Sequence, residues 1–170
     1  MQTDTGVKMS SQSITERRDR TRNEIRQLIE DRNSVLSHFY ELAKLTDALE
    51  TDTNATLIQL EEFCQQLVDY LAKGHFEIYR RIEEGTERRS RITALAASIM
   101  ERINATTQVA IDFNDTYDSS NMTIEVDLKK LPAHLTRLGE ELATRIELED
   151  QFINTLLDGS HERQAVPEPA

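Results

Sequence analysis

Apolar side chains recur every three or four residues along four stretches of the chain, and the connections between these stretches are mostly polar. This spacing places side chains on one face of an α-helix, at about 100° of rotation per residue. The widest face belongs to the second stretch, with Leu60, Phe63, Cys64, Leu67, Leu71, Ile78 and Ile82. The most regular belongs to the third, with Ile92, Leu95, Ile99, Ile103, Thr106, Ala110, Phe113 and Tyr117. The pattern predicts four helices that each bury one face.

Capping signals delimit the first two predicted helices. Ser13 followed by Glu16 fits a capping box, in which each side chain satisfies a free backbone N–H of the first turn. The first helix is therefore expected to begin at this box and to run toward Leu45. Thr53 or Asn54 can cap the second helix, because a side-chain oxygen at that position accepts hydrogen bonds from the first turn.

Glycine and proline mark the other boundaries. Gly85 suits the C-terminal cap of the second helix, Thr86 can open the third, and Pro132 fits the first turn of the fourth. Residues 124–130 alternate over too short a span to predict a strand and are assigned to a loop or to the approach to the last helix. Gly74 lies in the middle of the second helix, where it either permits a close approach of another group or marks a kink.

These elements predict an all-α fold, an antiparallel up-and-down four-helix bundle with a longer, partly exposed first helix. The exposed part is the opening of that helix, ERRDRTR, which is basic and nearly free of apolar residues. One domain is expected over residues 13–158. A flexible N-terminus, residues 1–12, precedes it, and a disordered tail, residues 159–170, follows it.

The charge balance excludes one class of partner and favours another. The chain has 31 acidic and 20 basic residues, a formal net charge of −11. Direct binding to nucleic acid is not expected, because phosphates would repel such a protein. A basic protein partner is compatible with this charge, although acidity also simply keeps many proteins soluble.

The composition predicts a cytoplasmic protein. Cys64 is the single cysteine, so no internal disulfide can form. No apolar run approaches the roughly 18 residues of a membrane helix. The first residues lack the apolar core of a signal peptide.

No motif in the sequence predicts catalysis, a metal site or a cofactor. Helical bundles that bind metals use Glu-x-x-His pairs, and none occurs at His38, His75, His134 or His161. The glycine-rich nucleotide-binding motifs are also missing. The sequence therefore predicts a protein that is not an enzyme.

Three charged residues interrupt the apolar faces: Arg32 in the first helix, and Arg145 and Glu149 in the fourth. One interpretation is a polar cluster that engages a partner. The other is a buried ion-pair network that determines which helices pack together. Position alone favours the network, because buried charges must be paired.

Asp69 and Phe76 lie on the opposite side of the second helix from its apolar face. With Ile58, Gln65 and Ala72 they form a mixed polar and apolar strip. Such a composition is typical of a protein contact, in which a few aromatic residues supply most of the energy. The strip is equally compatible with cover by the chain's own loops.

The run FCQQLVDYLAKGHFEIY, residues 63–79, closely resembles the signature of the Rsd/AlgQ family of bacterial anti-sigma factors. Further segments are similar to family segments in the same order: LIEDRNSVLSHFYEL, TTQVAIDFND and LGEELATRIELEDQF. The resemblance covers most of residues 25–157. Leu28 departs from it, because the family pattern has tryptophan there.

The resemblance implies a bundle that sequesters the housekeeping sigma factor of RNA polymerase and so regulates transcription. The partner would be the C-terminal, DNA-binding domain of sigma, bound by a monomer of this protein. The contact residues implied first are Asp69 and Phe76, followed by His75 and Tyr79. Arg32, Arg145 and Glu149 also match the family and are expected to contact the partner or to support the contact from behind.

Two alternatives stay open at this point. A bundle of the same fold could be an adaptor that binds another regulatory protein, such as a stress or sugar-transport regulator. A bundle enzyme or metal-binding protein is the second alternative, and metal analysis of the purified protein distinguishes it.

Overall fold

Four long helices make up most of the chain that the structure describes, which is residues 5–48, 52–80, 90–118 and 128–158 without the side chains of residues 5–11 and 76–78. In this computed structural model they are α1 (Thr5–Asp47), α2 (Thr53–Lys73), α3 (Ser90–Tyr117) and α4 (Leu131–Asp158). Two short elements are a π-helical turn, Gly74–Tyr79, and a 3-10 turn before α4, Leu128–Lys130. The π turn continues α2 without a break and is counted with it below. No strand occurs in these described ranges. The prediction of an all-α protein with four helices is confirmed, and the arrangement is that of a four-helix bundle.

The N-terminal ends of α1 and α2 differ from the predicted ones. α1 already begins at Thr5, so Ser13 is an interior residue that accepts hydrogen bonds from Arg17 rather than a capping residue. A serine followed by glutamate is compatible with a helix interior, and no proline precedes it to stop the helix. Asp52 caps α2 in place of Thr53 or Asn54, because its carboxylate accepts the N–H groups of Asn54 and Ala55 at 2.9 and 3.2 Å.

Several predictions lie outside the described residues. They are the caps at Gly85 and Thr86, the contribution of Ile82 to the core, most of the loop before α4 and the tail at residues 159–170. Of the predicted flexible N-terminus, residues 1–4 also lie outside, whereas residues 5–12 are helical.

Rings from all four helices meet in the core. Phe39 of α1 packs edge-on against Phe63 of α2, with ring centroids 5.9 Å apart, and Phe63 packs against Phe113 of α3 at 5.7 Å. Tyr117 continues this row at 4.8 Å from Phe113 and contacts His134 of α4. The hydroxyl of Tyr117 and Nδ1 of His134 share a hydrogen bond of 2.7 Å. Each buried aromatic ring contributes about 1.5–3 kcal/mol through the hydrophobic effect, so this row is a major part of the core.

The predicted apolar faces are largely those that the structure buries, and Leu36 and Tyr70 are two of the differences. The spacing of apolar residues in the first helix predicts that Leu36 belongs to its buried face. Leu36 is nevertheless 38% exposed, because the buried face runs beside it through Leu28, Val35 and Leu42. Tyr70 was not assigned to the core, yet its side chain is fully buried. Its hydroxyl has a buried partner on α4, which removes the usual cost of burying a polar group.

No helix in the described part of the chain is both long and apolar enough to span a bilayer.

Gly139 of α4 faces the ring of Phe39, and a Cβ at this glycine would lie 2.9 Å from the Cζ atom of that ring. Alanine normally stabilises a helix interior by about 1 kcal/mol relative to glycine. Here the methyl group would displace a ring that packs against Phe63, and overpacking costs about 1–3 kcal/mol. We expect Gly139→Ala to lower the free energy of unfolding by up to about 2 kcal/mol, measured by urea denaturation.

The matched control is the same substitution in a Phe39→Leu background, in which the clashing ring atom is absent. There, Gly139→Ala should raise the free energy of unfolding by up to about 1 kcal/mol. An equal loss in both backgrounds would show that the ring is not the obstacle.

Cys64 is buried in the core face of α2. Burial, with a smaller contribution from the charge of Asp118, raises the pKa of Cys64 to about 12. Because the thiolate is the reactive form, a thiol-reactive disulfide reagent near pH 8 should modify the native protein about 100-fold or more slowly than the denatured protein. Equal rates would mean that the folded protein readily exposes this side chain.

Candidate functional site

A buried ion pair lies in the middle of the bundle. Arg145 and Glu149 are one turn apart on α4, and the Nε atom of Arg145 donates to Oε1 of Glu149 at 3.0 Å. Each residue is only 1% exposed. A spacing of four residues places both side chains on the same face of the helix, and here that face points into the core.

The guanidinium of Arg145 has partners on α2 and α3. Its NH1 group donates to the hydroxyls of Thr107 and Thr106 at 2.7 and 3.2 Å. It also lies between the rings of Tyr70 and Tyr79, with Cζ 5.4 and 5.6 Å from the two ring centroids. A cation between aromatic faces gains electrostatic attraction from both rings, and more so when water is excluded.

The carboxylate of Glu149 accepts hydrogen bonds from α2 at both oxygens. The hydroxyl of Tyr70 donates to Oε2 at 2.6 Å, and that of Tyr79 donates to Oε1 at 2.9 Å. Arg32 of α1 approaches the same carboxylate at 3.9 Å and pairs more closely with Asp150, at 2.7 Å. The ion pair thus joins all four helices, and we call these side chains the buried network: Arg32, Tyr70, Tyr79, Thr106, Thr107, Arg145 and Glu149.

Burial and the charge of Glu149 keep the two tyrosines protonated. Burial is the larger cause, and both effects raise the pKa of Tyr70 and of Tyr79 well above the usual value for tyrosine. Both hydroxyls therefore remain hydrogen-bond donors to the carboxylate at neutral pH. A charge that is paired and fully hydrogen-bonded is the form in which proteins tolerate burial.

The structure places all three residues of the charged trio in the buried network. Arg145 and Glu149 are paired inside the bundle, and Arg32 reaches the network from its edge. Tyr79, which the resemblance implied as a contact residue, lies in the core and is 2% exposed. In this conformation these side chains join the helices inside the bundle, and Arg32 is the most accessible of them.

Sequence reasoning missed three members of the network. Tyr70 lies three residues after Leu67, so its place on the core face could have been inferred from spacing. Thr106 was assigned to the α3 face, but nothing in the sequence shows that it and Thr107 bind an arginine of another helix.

The described residues of the predicted α2 strip lie at the surface. Ile58, Gln65, Asp69 and His75 are exposed and Ala72 is half-buried, and we call these five residues the α2 outer face. Within it, the side-chain amide of Gln65 donates to Asp69 at 3.2 Å. The side chain of Phe76, which was predicted to belong to this strip, lies outside the described residues.

A shallow groove between α2 and α3 adjoins this face. Its lining contains the carboxylates of Glu61 and Asp118, the exposed apolar side chain of Val68, and Gln65 of the outer face. The groove therefore combines negative charge with apolar surface. Within the described residues, no group of three or more His, Cys, Asp or Glu side chains is arranged to hold a metal ion.

The network predicts a specific pattern of stability changes. Glu149→Leu would leave the guanidinium of Arg145 buried without its counter-ion, which lowers the free energy of unfolding by about 3–5 kcal/mol. The double variant Arg145→Met/Glu149→Leu should recover part of this loss, because no buried charge is then left unpaired, although the hydroxyls of Tyr70 and Tyr79 lose their acceptor. Urea denaturation followed by circular dichroism measures both.

Asp150→Asn is the control, because it changes an exposed partner of Arg32 and should cost less than about 1 kcal/mol. A double variant as unstable as Glu149→Leu would show that shape, and not the unpaired charge, causes the loss.

Comparison with known proteins agrees with this architecture. A family profile described as "Regulator of RNA polymerase sigma(70) subunit, Rsd/AlgQ" matches residues 8–157, from α1 to the last turn of α4. Proteins named "Regulator of sigma D" from Salmonella paratyphi A, Salmonella newport and Salmonella enteritidis are each 31% identical to this chain over 160 residues, which is 94% of this chain and 97% of the relative. The resemblance seen in the sequence is confirmed. The chain belongs to the Rsd/AlgQ family of regulators of the RNA polymerase sigma(70) subunit, a class of binding proteins and not of enzymes.

Proposed function

We propose that this protein is an anti-sigma factor that binds the C-terminal, DNA-binding domain of the housekeeping sigma factor and sequesters it. The observation that carries the proposal is the α2 outer face. It lies on the segment with the most specific family resemblance, and Asp69 and His75 are exposed there. Family membership and the relatives' name support sigma as the partner.

Charge supports the same partner. The protein has a formal net charge of −11, and Glu61 and Asp118 line the groove beside the outer face. A DNA-binding helix-turn-helix domain presents basic surface, so the two proteins attract each other before contact. Because salt screens exposed charges over about 10 Å at 0.1 M, association should be fast and sensitive to ionic strength. Masking the basic surface would also remove it from promoter DNA.

The proposed contact has an outer and an inner part. Asp69, Phe76 and His75 are the proposed contact residues on the surface. Tyr79, Arg145 and Glu149 would support them from inside, and Arg32 would do so from the edge of the network. In this role the protein works in the bacterial cytoplasm and binds sigma as a monomer.

We also propose that neighbouring helices of the bundle run antiparallel. For α1 and α2, the supporting contacts are the ion pair of Asp31 with Lys73 at 2.9 Å and the ring contact of Phe39 with Phe63. From the first pair to the second, the residue number rises in α1 and falls in α2, as it does in antiparallel helices. The hydrogen bonds that join α3 to α4, Thr107 to Arg145 and Tyr117 to His134, follow the same order.

The central experiment titrates the purified C-terminal domain of sigma into this protein by calorimetry at low and at high salt. We expect a complex with one copy of each protein, and weaker binding at high salt because the attraction is partly electrostatic. No binding at either salt concentration would contradict the proposal, and a different stoichiometric partner in a pull-down would favour the adaptor alternative.

Asp69→Arg should abolish this binding, because it places a cation against a basic partner. The matched control is Asp112→Arg on the α4-facing side of α3. Asp112 is also exposed and accepts the side-chain amide of the glutamine four residues earlier, at 2.8 Å. Both variants change the net charge equally, so a general charge effect would weaken both. Thermal unfolding of both should match the unmodified protein, and loss of folding in Asp69→Arg alone would assign Asp69 to the scaffold.

A further inference from the structure

Tyr70 and Tyr79 donate to the same carboxylate, although a spacing of nine residues in a regular α-helix would not place them on the same side. Nine residues correspond to about 900° in an uninterrupted α-helix, which would place the two side chains on opposite sides of the helix. Yet both hydroxyls reach Glu149, at 2.6 and 2.9 Å. The helix must therefore change its register between them.

The π-helical turn at Gly74–Tyr79 makes this change. At its end, the N–H of Arg80 donates to the carbonyl of His75, five residues earlier. Such a turn holds one residue more than an α-helical turn, so that everything after it is rotated back by about 100°. This rotation brings Tyr79 to the core side, where Tyr70 already lies.

Gly74 has no side chain, which leaves room for the groups that pack against the start of the π turn. Its backbone is ordinary helix, with φ of −55° and ψ of −45°, so glycine is not required by conformation. A Cβ there would lie 3.3 Å from the ring of Tyr79 and 3.6 Å from the guanidinium of Arg145. Of the two roles considered for Gly74, close approach is thus the one that the packing requires.

We infer that Tyr79 is a positioning residue for sigma binding. Its hydrogen bond to Glu149 holds the π turn, and the turn sets the direction of the backbone that carries His75 and Phe76. This inference rests on the proposed function. A π turn is rare in helices, and a buried hydrogen bond holds the last residue of this one. Without the Tyr79 hydroxyl, residues after Gly74 are free to return to the α-helical register, which would rotate the contact segment away from its bound orientation.

Tyr70 provides an internal comparison. It is buried as deeply as Tyr79, its ring contacts the same guanidinium, and its hydroxyl donates to the other oxygen of the same carboxylate. It lies in the regular part of α2, before the π turn. Loss of its hydroxyl therefore removes a similar hydrogen bond from the core but leaves the register unchanged.

The experiment compares Tyr79→Phe with Tyr70→Phe in the full chain. We expect Tyr79→Phe to weaken binding of the sigma C-terminal domain by about tenfold or more, and Tyr70→Phe to change it less than about threefold, while both variants unfold at similarly lowered urea concentrations. Gly74→Ala, which pushes the Tyr79 ring, should weaken binding in the same direction as Tyr79→Phe.

A second readout does not involve sigma. Backbone NMR shifts of residues 74–79 should move toward regular α-helix in Tyr79→Phe and stay unchanged in Tyr70→Phe. Equal losses of affinity in the two tyrosine variants, or an unaltered π turn in Tyr79→Phe, would overturn the inference. Failure of the unmodified protein to bind sigma would instead overturn the proposed function, because the NMR comparison tests the role of Tyr79 in the turn by itself.

Discussion

The structure depends on one ion pair that has been taken out of water. Arg145 and Glu149 cost free energy to bury, and they are stable in the core only because other helices supply the remaining hydrogen bonds. α2 supplies two tyrosine hydroxyls, α3 supplies two threonine hydroxyls, and α1 supplies a second arginine at the edge. An apolar core tolerates small rotations of its helices, whereas this network needs each donor and acceptor at a set distance. Its main effect is therefore to specify how the four helices fit together.

The same pair connects the interior of α2 to its surface. One side of the helix donates two hydroxyls to Glu149, and the other side carries Asp69 and His75. Since a helix is rigid along its length, whatever fixes the inner side also fixes the outer side. The π turn makes this coupling specific, because the position of Tyr79 determines the register of the last turn. In the proposed function, stability and recognition would thus depend on the same few side chains.

The surface suits a protein that binds and does no chemistry. Its excess of carboxylates favours a basic partner, and the groove between α2 and α3 places Glu61 and Asp118 beside the exposed Val68. Such charge raises the rate of association and favours partners of opposite charge, whereas apolar contact stabilises the complex once it has formed. Family membership gives the identity of the partner class, which neither charge nor shape could supply.

The sequence by itself determined the number of helices, most of their buried faces and the family. These features are local, because a repeat of three or four residues reports a helix face whatever lies against it. The charged trio was also visible, as an interruption of those faces. Only the tertiary structure decided that Tyr70 and Tyr79 share one carboxylate, and that Thr106 and Thr107 bind Arg145. These contacts depend on the position of an atom of another helix or on the change of register within α2. The spacing of residues along the chain reports neither.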